Sequence, residues 1–275
     1  MLSLCSPVRA EDSYGLSIWL EDVETTKWVS GAVFLGVTAQ GVSSWDWGSS
    51  KSFNWNPEGW FDEDTASGGA DKLGHAFSSY ALTNVLADRL LRHERSPQRA
   101  ALSAALTTQA IMIYVEVFDG FSLDHGFSYE DVVMNLLGTG LAYARTVNPK
   151  VRNLIDFRLE YQPSGYTGFR PLSDYSGQTY LLALKLGGFE ALRETPLRFL
   201  DLQTGYYTRG FSSAEQADAL ERSRYGFVGI GLNLSELLFG RRKPHESELK
   251  NAGRLFFDHI QLPYTSARAS NNFDD

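Results

Sequence analysis

Six polar side chains stand in otherwise apolar stretches: Asp71 and His75, Glu116 and Asp119, and Asp131 and Asn135. Asp71 and His75 are four residues apart, as are Asp131 and Asn135, so on helices each pair shares a face. One imidazole, several carboxylates and a carboxamide could move protons, a carboxylate orienting the ring while clustered acids shift one another's pKa. The same set could hold a metal ion through mixed nitrogen and oxygen ligands, or form a buried network that only braces helices. Taken singly, Asp71 could be an N-cap and Asp131 a first-turn acid, because anions are favoured at helix N-termini. Glu116 and Asp119 resist that explanation. They fall at a helix C-terminus, where the dipole opposes them, so they should have partners, and His75 is the obvious one. No cofactor is assigned. The chain has no serine nucleophile elbow, no H-E-x-x-H and no phosphate-binding glycine loop, and Asp119 to Asp124 lacks the register of a calcium loop.

The elements that must position these residues follow from periodicity. Residues 28–44 form an apolar, small-residue stretch, marginal as a membrane span and equally suited to a buried or membrane-skimming helix. From 45 to 69 the chain is rich in Trp, Asn, Gly, Pro and acid without either period. This predicts a long loop, either a lid or interfacial anchor over the site or a packed connection with its tryptophans as local core. A second helix is expected over about 71–91, a third from Ser96-Pro97 to about Phe118, and a fourth from Ser128 to about Thr146, closed by Asn148-Pro149. Ser128 and Asp131 suggest an acidic variant of a capping box. Gly138 and Ala142 continue the stripe of Asp131 and Asn135 and would let a neighbouring helix come close. After residue 150 the period changes. Segments 153–162, 179–189, 197–207, 225–234 and 254–261 read as strands, the middle three glycine-punctuated and partly alternating.

With 275 residues, the chain can bury a sizeable core. A net charge of -8 argues against a nucleic-acid surface, which needs clustered Lys and Arg. The two basic clusters, at 92–95 and 241–243, read as solvated turns. Residues 1–10 look like the end of a secretory signal, with Val8-Arg9-Ala10 as the small-residue cleavage pattern. Leu4 before Cys5 fits a lipoprotein signal poorly, and cleavage after Ala10 would leave no cysteine.

The runs DKLGHAFSSYAL (71–82) and YVEVFDGFSLDHGFSYEDVVMNLLGTGLAY (114–143) resemble the signature of the VanZ-like family. They are closer still to the predicted periplasmic lipoproteins of the YfiM type: DK-x-x-H, a Glu with an Asp three residues on, a Gly-aromatic-Ser step and a following Asp. The resemblance covers residues 71–145, and the positions it carries over are Asp71, His75, Glu116, Asp119, Asp131 and Asn135. It implies a link to the cell envelope and to glycopeptide resistance, with no established reaction. VanZ-like proteins are integral to membranes, whereas these helices are only moderately apolar, and the β-rich half lies outside the signature.

The expectation is an α+β protein: an N-terminal four-helix bundle over 11–150, then an antiparallel β-sheet or partial β-barrel over 151–275. It would be periplasmic and outer-membrane-associated, with the membrane or an envelope lipid or glycan as partner and no nucleic acid. Two roles remain open. One is a binding or scaffold role, with the polar cluster as a buried network. The other is a hydrolase or transferase acting on a lipid, glycan or peptidoglycan-derived substrate. In that case His75 would be the acid/base, Glu116 and Asp119 would orient it or bind a metal, and Asp131 and Asn135 would position substrate with support from Asp71.

Overall fold

The computed structural model describes residues 15–165, 171, 174–243 and 246–275; the expected leader at 1–10, with Cys5, lies outside them. Four long helices come first: α1 Leu16–Ser44, α2 Ala70–Arg92, α3 Pro97–Asp119 and α4 Tyr129–Val147. Ser96 and Ser128 cap α3 and α4, accepting from the amides of Arg99 and Asp131. The last three helices lie where the periodicity predicts them.

The first helix starts well before the expected Trp28, because its buried stripe is polar. Asp22, Thr26, Ser30 and Gly41 face the bundle. Asp22 accepts from Arg95 at 2.9 Å, Arg99 at 2.8 Å and Ser103 at 2.5 Å. Trp28 on the outer face is 82 % exposed. The basic run 92–95 is therefore only partly a solvated turn, since Arg95 clamps α1 through Glu21 and Asp22. Among the described residues one helix, α3, is long and apolar enough to cross a membrane, and half of that stretch is buried. The 28–44 stretch does not meet that measure.

A short helix α5, Pro149–Leu154, leads into the sheet, whose strands are β1 Ile155–Tyr161, β2 Gln178–Lys185, β3 Leu200–Arg209, β4 Ser223–Leu232, β5 Ile260–Gln261 and β6 Ser266–Asn272. Helices α6 Ser213–Ala217, α7 Leu234–Phe239 and α8 Glu248–His259 fill the connections. Strand order is β5-β1-β2-β3-β4-β6. Every pairing is antiparallel except β1 with β5, so the antiparallel expectation holds up to one parallel edge.

The sheet is curled. β5 and β6 occupy opposite edges, yet Gln261 and Ser266 are joined by a link that can reach at most about 18 Å. Six strands laid flat would put the edges about 24 Å apart. Consistently, Arg268 of β6 donates to Glu160 of β1 at 3.0 Å across the concave face. The partial barrel that results encloses buried charge beside an apolar cluster of Leu181, Ala183 and Phe227. Arg158 bridges Asp156 (2.7 Å) and Asp201 (2.6 Å) and donates to Gln261.

Segment 254–261 is helical up to His259 and contributes only Ile260–Gln261 as strand, against the expectation of a strand throughout. Within α8, Asn251, Arg254, Asp258 and His259 recur at helical spacing on the buried side. β6, SARASNN, carries no apolar alternation and is selected by backbone pairing to β4. On the other face of the sheet, Phe157, Leu159 and Tyr180 pack with Ala76, Tyr80, Met134 and Ala142 of α2 and α4, so bundle and sheet share one core cluster.

Candidate functional site

The amino ends of α2 and α4 and the carboxyl end of α3 meet at one end of the bundle, which brings the sequence-selected residues together. His75 Nδ1 lies 3.2 Å from Glu116 Oε1, and His75 Nε2 lies 3.9 Å from Asp131 Oδ1. Asn135 donates to Glu116 at 3.2 Å and accepts from Ser79 at 2.8 Å. Gln109 donates to the Asn135 carbonyl and the Thr139 hydroxyl, tying α3 to α4. The partner expected for Glu116 is thus in place. Asp119 makes no hydrogen bond or ion pair to His75 among the described residues. Its carboxylate accepts from the Trp47 indole at 2.6 Å.

Close approach makes this convergence possible. A Cβ on Gly138 would overlap the Ala76 carbonyl, so α4 can lie against α2 only with glycine there. Gly74, inside the DK-x-x-H run, likewise makes room for the sheet, since a Cβ would stand 2.9 Å from the Tyr180 hydroxyl.

Three participants escaped the sequence reading. Lys72 is 1 % exposed, and its ammonium sits 2.5 Å from Glu58, 2.9 Å from Asp71 and 3.0 Å from Asp131. It was visible inside the DK-x-x-H run, but a lysine beside an aspartate ordinarily marks a solvated turn. Glu58 and Trp47 come from loop 45–69, where no period flags them. That loop supplies the packed connection with a tryptophan as local core. Trp47 packs as local core on Tyr114 and Phe118, while Trp55 is exposed. Asp71 is not an N-cap. Gly69 occupies that place, and the Asp71 amide and carboxylate both engage the Ser67 hydroxyl. Asp131 does sit in the first turn, its amide held by Ser128, but its carboxylate turns to Lys72, so the capping box is not completed.

Five carboxyl groups here, those of Glu58, Asp71, Glu116, Asp119 and Asp131, face Lys72 and His75, with His125 also near Asp119. Burial pushes Glu58 up to about 7 and Glu116 up to about 8, in each case against the pull of a cation, Lys72 for Glu58 and His75 for Glu116. Burial also raises Asp119 and would raise Asp71, but Lys72 and Ser67 outweigh it there and hold Asp71 low. Burial disfavours a charged His75, yet Asp131, Glu116 and Asp71 more than offset this and raise it. Two sets of three ligand atoms lie within 4.8 Å of one another: Glu58, Asp71 and Asp131, and His75, Glu116 and Asp131. The Lys72 ammonium already sits on the first. In the second, that ammonium reaches only Asp131, at 3.0 Å.

The raised Glu116 has a measurable consequence. A carboxyl whose folded pKa exceeds its ordinary 4.5 contributes stability that is complete below 4.5 and lost as pH rises to about 8. Glu116→Gln mimics the protonated form and is spared that loss. In metal-stripped protein the variant should gain on wild type by up to about 1.4 kcal/mol per pH unit across this window. Urea denaturation at several pH values reads this directly, and a difference independent of pH would mean that Glu116 is ionised throughout.

The model of a family described as predicted periplasmic lipoprotein (DUF2279) matches residues 57–147, from the second half of the loop through α4. No curated protein and no solved structure matches the chain. What the comparisons add is this: the stretch resembling predicted periplasmic lipoproteins is the one that builds the His/carboxylate site.

Proposed function

We propose that the chain is a cell-envelope protein that binds a divalent cation through His75, Glu116 and Asp131. One observation carries this reading. His75 Nδ1, 3.2 Å from Glu116 Oε1, and Asp131 Oδ1, 3.0 Å from the Lys72 ammonium, are buried without an aligned hydrogen bond. Asp22 and Asp156 in the bracing networks differ, although Asp201 also leaves Oδ1 unpaired. Both oxygens of Asp22 and both of Asp156 accept from cations or hydroxyls. One ligand atom from each of His75, Glu116 and Asp131 lies within 4.8 Å of the other two, an arrangement that a shared cation would complete. Imidazole with two carboxylates suits Zn²⁺ or Mn²⁺.

The family description and the VanZ-like and YfiM-type signature over 71–145 support the envelope placement. Association with a membrane, the outer membrane in this reading, has its own support. Beyond Trp28 the exposed residues of α1 are apolar or small, among them Phe34, Leu35 and Val42. α3 (Ile113, Val117) and α4 (Val133, Leu136, Leu137) expose further apolar side chains. A patch of this kind is atypical of a free soluble monomer.

A second reading, acid/base catalysis on an envelope lipid, glycan or peptidoglycan-derived substrate, draws on the partial exposure of the His75 ring with Glu116 behind its Nδ1. Calorimetric titration of Zn²⁺ and Mn²⁺ into the metal-stripped full chain separates the two. The cation reading expects about one saturable equivalent, weakened tenfold or more in His75→Ala. Saturation by neither ion, or equal binding by the variant, would remove it. Recovery of the full-length chain in the soluble cytoplasmic fraction would overturn the envelope placement.

A further inference from the structure

We infer that the β-rich half carries an anion site, a cavity that takes a phosphate or diphosphate group. The cavity, about 260 Å³, lies where α5, the end of β2, the turns before β3 and helices α7 and α8 converge. Six arginines and a lysine line it against two acids, Glu236 and Asp258, in a chain whose net charge is -8. Concentrating cations this way is unfavourable unless something negative completes the site.

The cations divide into two groups. Lys185 is held by Asp156 and the Arg152 carbonyl, both at 2.7 Å, and Arg254 by Glu246 at 2.7 Å. Arg241 pairs with Glu194 at 2.6 Å and Arg242 with Asp258 at 3.1 Å, so the 241–243 run forms a cavity wall as well as a surface turn. These four shape the walls.

Arg152, Arg193 and Arg198 are different. Among the described residues neither Arg152 nor Arg193 has a carboxylate within ion-pairing distance, and the nearest acid to Arg198 is Glu236 at 3.9 Å. The Nε atoms of Arg152 and Arg198 are buried without a hydrogen-bond partner. Burial, reinforced by Arg242 and Arg145, holds the Arg152 pKa below its usual value, as expected of a cation crowded by other cations. Each guanidinium presents a planar fork that matches phosphate oxygens, and a multiply charged group with several acceptor oxygens can take more than one fork at once. The volume suits a small head group and is below that of a drug-sized ligand.

His75 and Glu116 do not line this cavity, so failure of the anion site and failure of the cation reading are independent. The test uses the full chain and two probes, pyrophosphate in solution and phosphatidylcholine vesicles with or without phosphatidic acid. Wild type should bind at least one of them saturably and, for pyrophosphate, melt at a higher temperature as the ligand is added. Arg152→Gln with Arg198→Gln should weaken binding by about tenfold or more, the scale of one lost charge-assisted hydrogen bond. Because it removes uncompensated cations, the double variant should keep or exceed the ligand-free melting temperature, which separates lost binding from lost folding. Lys51→Gln, an exposed charge change in the loop, should bind as wild type does. Vesicle binding that requires phosphatidic acid and is weakened in the double variant, without pyrophosphate binding, assigns the phosphate to a lipid head group, and binding of pyrophosphate to a soluble ligand. Binding of neither probe, or equal binding by the double variant, overturns the site.

Discussion

Gly138→Val is expected to lower the unfolding free energy by about 3 kcal/mol or more, at or above the upper end of overpacking costs, and to abolish cation binding with it. The obstacle is backbone, not a side chain that could swing away, because even a Cβ at 138 would overlap the Ala76 carbonyl. Relief requires α4 to move off α2. That motion separates Asp131 and Asn135 from Lys72, His75 and Ser79, and opens the core cluster around Ala76, Met134 and Ala142. Gly140→Ala, two residues on, is the control. It meets no atom within 4 Å and should stabilise by up to about 1 kcal/mol through helix propensity. Urea denaturation of both variants makes the comparison. Equal stability of Gly138→Val and wild type would mean that the helices do not cross this closely.

Asp156→Asn should cost about 3–5 kcal/mol at neutral pH, the penalty for leaving a buried charge cluster without its counterion. Asp156 is fully buried, and its carboxylate is shared by Arg145, Arg158 and Lys185. Burial opposes ionisation of this acid, but Lys185, Arg145 and Arg158 overwhelm it and hold the group far below its usual 3.8. An acid with a depressed folded pKa contributes stability that is complete above its unfolded value and lost as pH falls towards the folded one. The wild-type advantage should therefore be full at neutral pH and shrink once pH drops below 3.8. This is opposite in sign to Glu116, whose replacement gains with rising pH. A pH-independent penalty for Asp156→Asn would show that shape, not charge, is what the variant loses.

The two acids also show how far the sequence could be read. Glu116 could be singled out because a carboxylate near a helix C-terminus needs a reason, and His75 supplies one. Asp156 gave no such signal, since it is one residue of the strand pattern IDFRLEY whose importance depends on Arg145, eleven residues earlier, and Lys185, on the neighbouring strand. Helices α2 to α4 were legible because their apolar residues recur with the helical period. α1 was only half legible because it turns a polar stripe inward, and β6 was invisible because an edge strand paired only through its backbone needs no side-chain pattern. The helix at 248–259 was read in part as strand, since its inward side is made of Asn, Arg, Asp and His and not of apolar residues.

By itself, the sequence determined the α+β division, three of the four bundle helices and the six polar residues, all properties of local spacing that survive without knowing what packs on what. Tertiary structure decided which of those residues touch, that Lys72 and Glu58 join them while Asp119 turns to Trp47, and that the sheet curls until its first and last strands exchange an ion pair. It also decided that arginines from five separate segments, among them Arg152, Arg193, Arg198, Arg241 and Arg254, line one cavity. The reason is physical: periodicity fixes which face of an element a residue occupies, but charge pairing and burial depend on distances between elements, and those exist only once the chain has folded.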